Sequence, residues 1–261
     1  MIQTERVIAS EALRFLRKDP SKVALTVGLY ALTLRDAKAA KTLRASYFFA
    51  RHLDDLLDGE LISPHQPDTY AEGLIQQIAT SKYDPDCRMA RLIQYALPRL
   101  QAVALPEDNP KQEFITLINS LVFDYHRRQS RQTLPTSMLY SHYENTVNPS
   151  LNLLSTTLHG TLRAKDIPTY ATNLSRLYSI RDLSKDWHLG IVNIPEHVLG
   201  EASLSTNAAF DQVVSNSVVR TWAQEELCAA TDELQVVSKQ LADMPPELPN
   251  RIISSMIKKA S

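Results

Sequence analysis

The segment YFFARHLDDLLDGE, residues 47–60, sets three aspartates and an arginine into an otherwise apolar run. Phe48, Phe49, Leu53, Leu56 and Leu57 have the character of core residues, and carboxylates are seldom buried among such residues unless something pairs with them. At about 100° per residue, Tyr47, Arg51, Asp54, Asp55 and Asp58 fall on one helical face about 100° wide. Carboxylates four apart, such as Asp54 and Asp58, repel each other unless a cation lies between them. A solvated acidic face with Arg51 as its salt-bridge partner would account for this segment taken alone. A second segment, YSIRDLSKDWHLGIVNIPEHVL at 178–199, repeats the pattern, with Asp182 and Asp186 four apart and Arg181 beside them. Two aspartate pairs on two long apolar helices can face each other across a cavity, and carboxylates converging there require divalent cations. Mg²⁺ fits, because it takes oxygen ligands, often one or two carboxylates plus substrate phosphates. The chemistry expected is metal-assisted departure of a phosphate-type leaving group.

Such carboxylates need rigid elements to hold them. Helical periodicity runs through the chain and predicts helices over 5–18, 22–33, 36–58, 69–80, 86–103, 110–130, 137–160, 168–188, 208–240 and 247–259. Pro20, Pro64, Pro67, Pro106, Pro110, Pro135, Pro168 and the MPPELP stretch at 244–249 separate them. Pro98 and Pro149 fall inside helical patterns, where each should end or kink a helix. The best strand signal, GIVNI at 190–194, stands alone. No GxGxxG, Walker A or GxSxG pattern occurs, so nucleotide-binding and hydrolase readings have no sequence support. A chain of 261 residues that is 44% hydrophobic can bury one sizeable core. The expectation is an all-α protein with one domain over 1–261.

The formal net charge of −1, with no basic stripe, argues against a nucleic-acid partner. Cys87 and Cys228 stand far apart and suggest neither a zinc site nor a disulfide framework. No run of 18 apolar residues and no signal-peptide pattern occurs, which predicts a cytoplasmic protein; peripheral contact with a membrane surface stays open. Nothing in the sequence sets the oligomeric state.

ARHLDDLLD and IRDLSKDWHLGIVNIPEHVL resemble the two aspartate-rich motifs of the squalene/phytoene synthase family. FDYHRRQSRQTLPTSMLYSHY (123–143), lying between them, resembles the family segment that ends in Tyr-Cys-x-Tyr. The resemblance runs over residues 35–200. It implies the all-α isoprenoid synthase fold, with helices around a central cavity. It implies Asp54, Asp55 and Asp58 as a first Mg²⁺-binding set and Asp182 and Asp186 as a second. Arg51 and Arg181 would lie near the diphosphate of an allylic prenyl diphosphate, whose oxygens a guanidinium can bind bidentately. Tyr140 would sit near the developing carbocation, which its ring and hydroxyl can both serve.

The chain also departs from that pattern. Glu144, Asn145, Thr146, Asn148 and Pro149 replace the family's small apolar Val-Ala-Gly-x-Val-Gly segment, and Glu144 and Asn148 lie on Tyr140's side of a helix. Ser175 and Tyr178 replace a Gln and an Asn ahead of the second motif, and Lys185 replaces a Glu. The family's Ser-Phe-x-x-Ala segment has no clear match in PSKVALTVGLYALTL. A buried Glu144 is costly unless paired, so the departures slightly favour a polar or aromatic small molecule as second substrate, with Glu144 lining the acceptor end and removing a proton; a Glu144 that pairs with a nearby arginine or faces solvent is the plain alternative. The alternatives are head-to-head joining of two prenyl diphosphates, cyclisation of one prenyl chain, and a non-catalytic assembly protein. Relatives of the last kind tend to lose the aspartates that this chain keeps.

Overall fold

The computed structural model describes residues 2–62 and 66–260; Pro64, one of the prolines expected to separate helices, lies outside them. Among the described residues there are thirteen α-helices, three short 3-10 turns and no strand. The chain gathers into two compact units, Met1–Val122 with Ser150–Thr161, and Phe123–Pro149 with Leu162–Ser261.

The first unit contains α1 (Ile2–Lys18), α2 (Val23–Ala31), α3 (Ala37–Leu57), α4 (Pro67–Thr80) and α5 (Arg88–Val103), with the start of α6 (Pro110–Ser130) and the end of α7 (Thr136–Thr157). Asp36 starts α3 by accepting the N–H groups of Lys38 and Ala39, each at 2.9 Å, which satisfies donors that a helix start leaves open. The apolar residues of α3 then recur at helical spacing and bury Phe48, Phe49, Leu53 and Leu56 against α1 and α5. Phe49 and Phe114 meet edge to face, with ring centroids 5.7 Å apart. Truncating such a ring to alanine costs about 3–5 kcal/mol, so this core fixes the helix that carries the first aspartate motif. Pro98 does not end α5, because it sits on the exposed side while Ala96, Leu97 and Leu100 stay buried.

The second unit contains the end of α6, the start of α7, then α8 (Tyr170–Arg181), α9 (Leu183–Leu189), α10 (Glu196–Glu201), α11 (Phe210–Ser215), α12 (Ser217–Asp243) and α13 (Leu248–Ala260). Here α12 packs along α8, and α13 packs against both. The predicted helix 168–188 is divided: Asp182, at φ −95° and ψ 7°, leaves helical geometry between α8 and α9. The predicted helix 208–240 is divided at Asn216, whose side-chain oxygen accepts from Val218 and Val219 and so caps α12. GIVNI forms no strand but a loop that begins at Gly190. That residue closes α9 at φ +89°, and a Cβ there would stand 2.8 Å from the Arg128 carbonyl oxygen. Only glycine meets both conditions. Helix α7 runs on through Pro149, so that proline does not end its helix either.

Candidate functional site

Asp54 lies on the half-buried side of α3, and Asp58, the residue that ends the helix, stands half-buried one turn on. Burial, reinforced by the neighbouring Asp58 charge, pushes the Asp54 carboxyl up to about 6, although the Arg51 guanidinium opposes the shift. Arg51 donates to Asp54 Oδ2 at 2.5 Å and pairs with Asp55 Oδ1 at 2.7 Å.

Asp55 departs from the expected metal set. Its side chain is fully buried and turned toward α1, where Arg14 reaches Oδ2 at 2.5 Å and Lys18 reaches Oδ1 at 2.6 Å. Burial alone would raise its pKa. The hydrogen bonds from Lys18 and Arg14, with the Arg51 charge, outweigh burial and hold the carboxyl below its ordinary value. With both oxygens taken by cations, Asp55 anchors α3 to α1. Glu11 extends the same network, accepting from Arg14 at 2.8 Å, with His52 at 3.0 Å and Arg88 at 3.1 Å. Lys18 also pairs with Glu60.

In the second unit, Arg181 clasps Asp182 bidentately, Nε to Oδ1 at 2.9 Å and Nη2 to Oδ2 at 2.6 Å, and its side chain is mostly exposed. Asp186 lies one turn on. Burial first, and then the Asp182 charge, push its carboxyl up to about 7; Lys185 and a hydrogen bond from Asn193 pull the other way. Asn193 Nδ2 donates to Asp186 Oδ2 at 3.0 Å. Its Oδ1 accepts from Arg127 Nη2 at 3.2 Å, and Arg127 Nη1 pairs with Asp124 Oδ1 at 2.8 Å. His142 Nε2 meets Asp124 Oδ2 at 2.8 Å. Arg127 is only 1% exposed and also holds the Val192 carbonyl at 2.7 Å, so it fixes the loop after Gly190 as well.

The sequence reading names none of Asn193, Arg127 and Asp124. Its nearest signal was Asp124 and Arg127 three apart in FDYHRR, one helical turn.

Tyr140 is half-buried, and its hydroxyl donates to both oxygens of Glu226 at 3.2 Å. Arg176 Nε holds Glu226 Oε2 at 2.5 Å, and its guanidinium carbon lies 5.5 Å from the centre of the Tyr140 ring. Glu226, from α12, is thus the carboxylate beside Tyr140. Glu144 is exposed and accepts from the Thr172 hydroxyl at 3.2 Å. The expectation of a costly buried Glu144 is therefore corrected: the α7 face that turns inward carries Leu139, His142 and Tyr143, and Glu144 falls outside it.

Among the described residues, no three His, Cys, Asp or Glu side chains gather closely enough to hold a metal ion by themselves. An aspartate pair still suits Mg²⁺, which commonly takes one or two carboxylates and completes its shell with phosphate oxygens and water. Burial and a neighbouring like charge disfavour the ionised forms of Asp54 and Asp186, and a bound cation would offset that cost.

No family model matches the chain, and no curated protein matches it. Among solved structures, the crystal structure of squalene synthase HpnC from Alicyclobacillus acidocaldarius is similar to it over 99% of this chain and 94% of that one, with a TM-score of 0.65 and 16% identity. The chain therefore has the all-α fold of a squalene/phytoene-type synthase.

Proposed function

We propose that residues 1–261 act as one prenyltransferase domain, which binds an allylic prenyl diphosphate with Mg²⁺, ionises it and passes the prenyl group to a second substrate. The observation that carries the reading is the repeated aspartate pair: each contains one carboxylate, Asp54 or Asp186, that burial and a like charge hold near neutrality. Carboxylates in that condition bind a divalent cation and release a proton on doing so. Asp54 with Asp58, and Asp182 with Asp186, are the ligands in this reading. Mg²⁺ held by these carboxylates would supply positive charge to stabilise a departing diphosphate. Arg51 and Arg181 would exchange a carboxylate for phosphate oxygens, and Tyr140 would face the allylic cation left when the C–O bond breaks.

The second substrate in this reading is another prenyl diphosphate, joined head to head. The fold is shared with a protein named as a squalene synthase, and the exposure of Glu144 takes away one of the departures that favoured a polar acceptor. Incubation with Mg²⁺, a nicotinamide reductant and radiolabelled prenyl diphosphates of several lengths tests the proposal. Release of pyrophosphate with formation of a labelled hydrocarbon is expected. Turnover that is indifferent to EDTA, or to Asp54→Ala and Asp182→Ala, would overturn it.

One observation favours a second reading, a non-catalytic interaction protein: Asp55 and Asp182 both spend their oxygens on arginine or lysine. That reading requires that no prenyl diphosphate of any length yields pyrophosphate, so the same assay separates the two.

A further inference from the structure

Helix α2 and the 3-10 turn after it form an apolar surface that stays largely exposed among the described residues, although the buried Arg44 guanidinium lies 4.4 Å from the centre of the Tyr30 ring and covers one face of it. The twelve residues from Val23 to Leu34 carry no charge. Within α2 only Thr26 and Leu29 are buried, so the helix rests on its unit along one narrow stripe. Val23, Val27 and Tyr30 recur at spacings of four and three in α2, and Leu34 follows in the 3-10 turn; together they keep to one side, a sector about 100° wide. They are 49%, 60%, 39% and 94% exposed. Scattered exposed apolar residues are ordinary, but a continuous stripe marks a contact surface.

The charges around the stripe say what covers it. Lys22 and Arg35 stand at its two ends, and Arg17 and Lys38 lie just beyond them, all exposed. The acidic residues of the same stretch are fewer and partly engaged: Asp19 accepts the Ser21 N–H at 3.0 Å with one oxygen and lies 3.8 Å from the Lys22 ammonium with the other, and Asp36 caps α3 with one oxygen and meets His159 at 3.4 Å with the other, which leaves the ends of the stripe net basic. A second copy pairing through this stripe would bring basic ends onto basic ends, whether the helices ran parallel or antiparallel. An anionic surface meets no such repulsion. Twelve helical residues span roughly 18 Å, well short of the ~30 Å of a bilayer's hydrocarbon core, and no described helix is long and apolar enough to cross a membrane.

We propose that α2 lies flat on an anionic lipid surface, with Val23, Val27, Tyr30 and Leu34 in the boundary between headgroups and acyl chains and Lys22 and Arg35 on the headgroups. The proposal is independent of the chemistry above. Flotation of the full chain with phosphatidylcholine vesicles, with and without one third phosphatidylglycerol, tests it. Binding is expected to the mixed vesicles and to weaken in high salt. It should fall roughly fivefold for each basic side chain lost in Lys22→Gln and Arg35→Gln, and vanish in Val27→Glu. That variant replaces an exposed side chain and should melt as the parent does. Absence of binding to the anionic vesicles, or binding that Val27→Glu leaves intact, would overturn the proposal. So would sedimentation showing a dimer that Val27→Glu dissociates, since a second copy would then cover the stripe.

Discussion

Asn193 holds Asp186 Oδ2 at 3.0 Å with its amide nitrogen while Arg127 holds its amide oxygen at 3.2 Å. One carboxylate of the second motif is therefore oriented from a loop that Arg127 itself fixes. Asn193→Ala removes a hydrogen bond that opposes protonation of Asp186 and frees the carboxylate to rotate. The Mg²⁺ concentration needed for half-maximal pyrophosphate release should rise at least tenfold, as is usual when the partner of a metal ligand is removed. Asn193→Asp keeps the shape and adds a carboxylate that favours a cation, so its Mg²⁺ requirement should rise less than that of Asn193→Ala. A titration of turnover against Mg²⁺ in both variants decides this.

Asp54 and Asp55 are adjacent, and their roles separate by experiment. Asp55→Ala leaves Arg14, Lys18 and Arg51 without their shared, fully buried anion. The three cations are partly hydrated, so the loss should fall near the low end of the range for breaking a buried pair, about 3 kcal/mol in urea unfolding. Asp54→Ala should abolish turnover with little loss of stability. The folded pKa of Asp55 lies below the unfolded value. Its stabilisation is therefore present above the ordinary carboxylate pKa and disappears as pH falls through the lowered folded value.

The contrast between these neighbours marks what could be read in the chain. The aspartate pairs were legible because spacing on a helix is a local property, and Asp54 with Asp58 or Asp182 with Asp186 keep their one-turn relation even where a helix breaks at Asp182. The partners of Asp55 were not, since Arg14 and Lys18 lie 41 and 37 residues away. The all-α class followed from periodicity that every long helix repeats. Helix ends depended on particular contacts, such as the Asn216 cap and the tight turn at Gly190. One-turn spacing from Tyr140 made Glu144 look like a site carboxylate, whereas its exposure is fixed by which side of α7 packs.

Acidity should tune both stability and metal binding through Asp54 and Asp186. Their folded values, about 6 and about 7, lie above the ordinary carboxylate range. Between pH 4 and those values the native state holds more protons than the unfolded chain, so metal-free stability should fall as pH rises through that window. Mg²⁺ replaces the protons, so it should raise the melting temperature more at pH 8 than at pH 5.5 (differential scanning fluorimetry at about these two values suffices). Asp54→Asn with Asp186→Asn should flatten the pH dependence and remove the Mg²⁺ effect. A wild-type melting curve indifferent to Mg²⁺ at both pH values would contradict the assignment.

Glu226 and Glu144 give the last test, because the carboxylate that holds Tyr140 comes from α12 and not from Tyr140's own helix. Glu226 accepts from Tyr140 and Arg176 inside the second unit, whereas Glu144 is exposed and accepts from Thr172. Glu226→Ala strands the Arg176 charge and frees the Tyr140 hydroxyl, and should cost about 1.5–3 kcal/mol, as for a lost hydrogen bond to a charged group. It should also lower the yield of coupled product more than it lowers pyrophosphate release, since Tyr140 would no longer be held. Tyr140→Phe should lose about 1 kcal/mol of stability and show the same split between release and coupling, because it breaks the same contact from the other side. Glu144→Ala should stay within about 0.5 kcal/mol of the parent and leave product distribution unchanged, as surface substitutions do. Urea unfolding and product analysis on the three variants check all of this, and a coupling defect confined to Glu144→Ala would return the acceptor role to that residue.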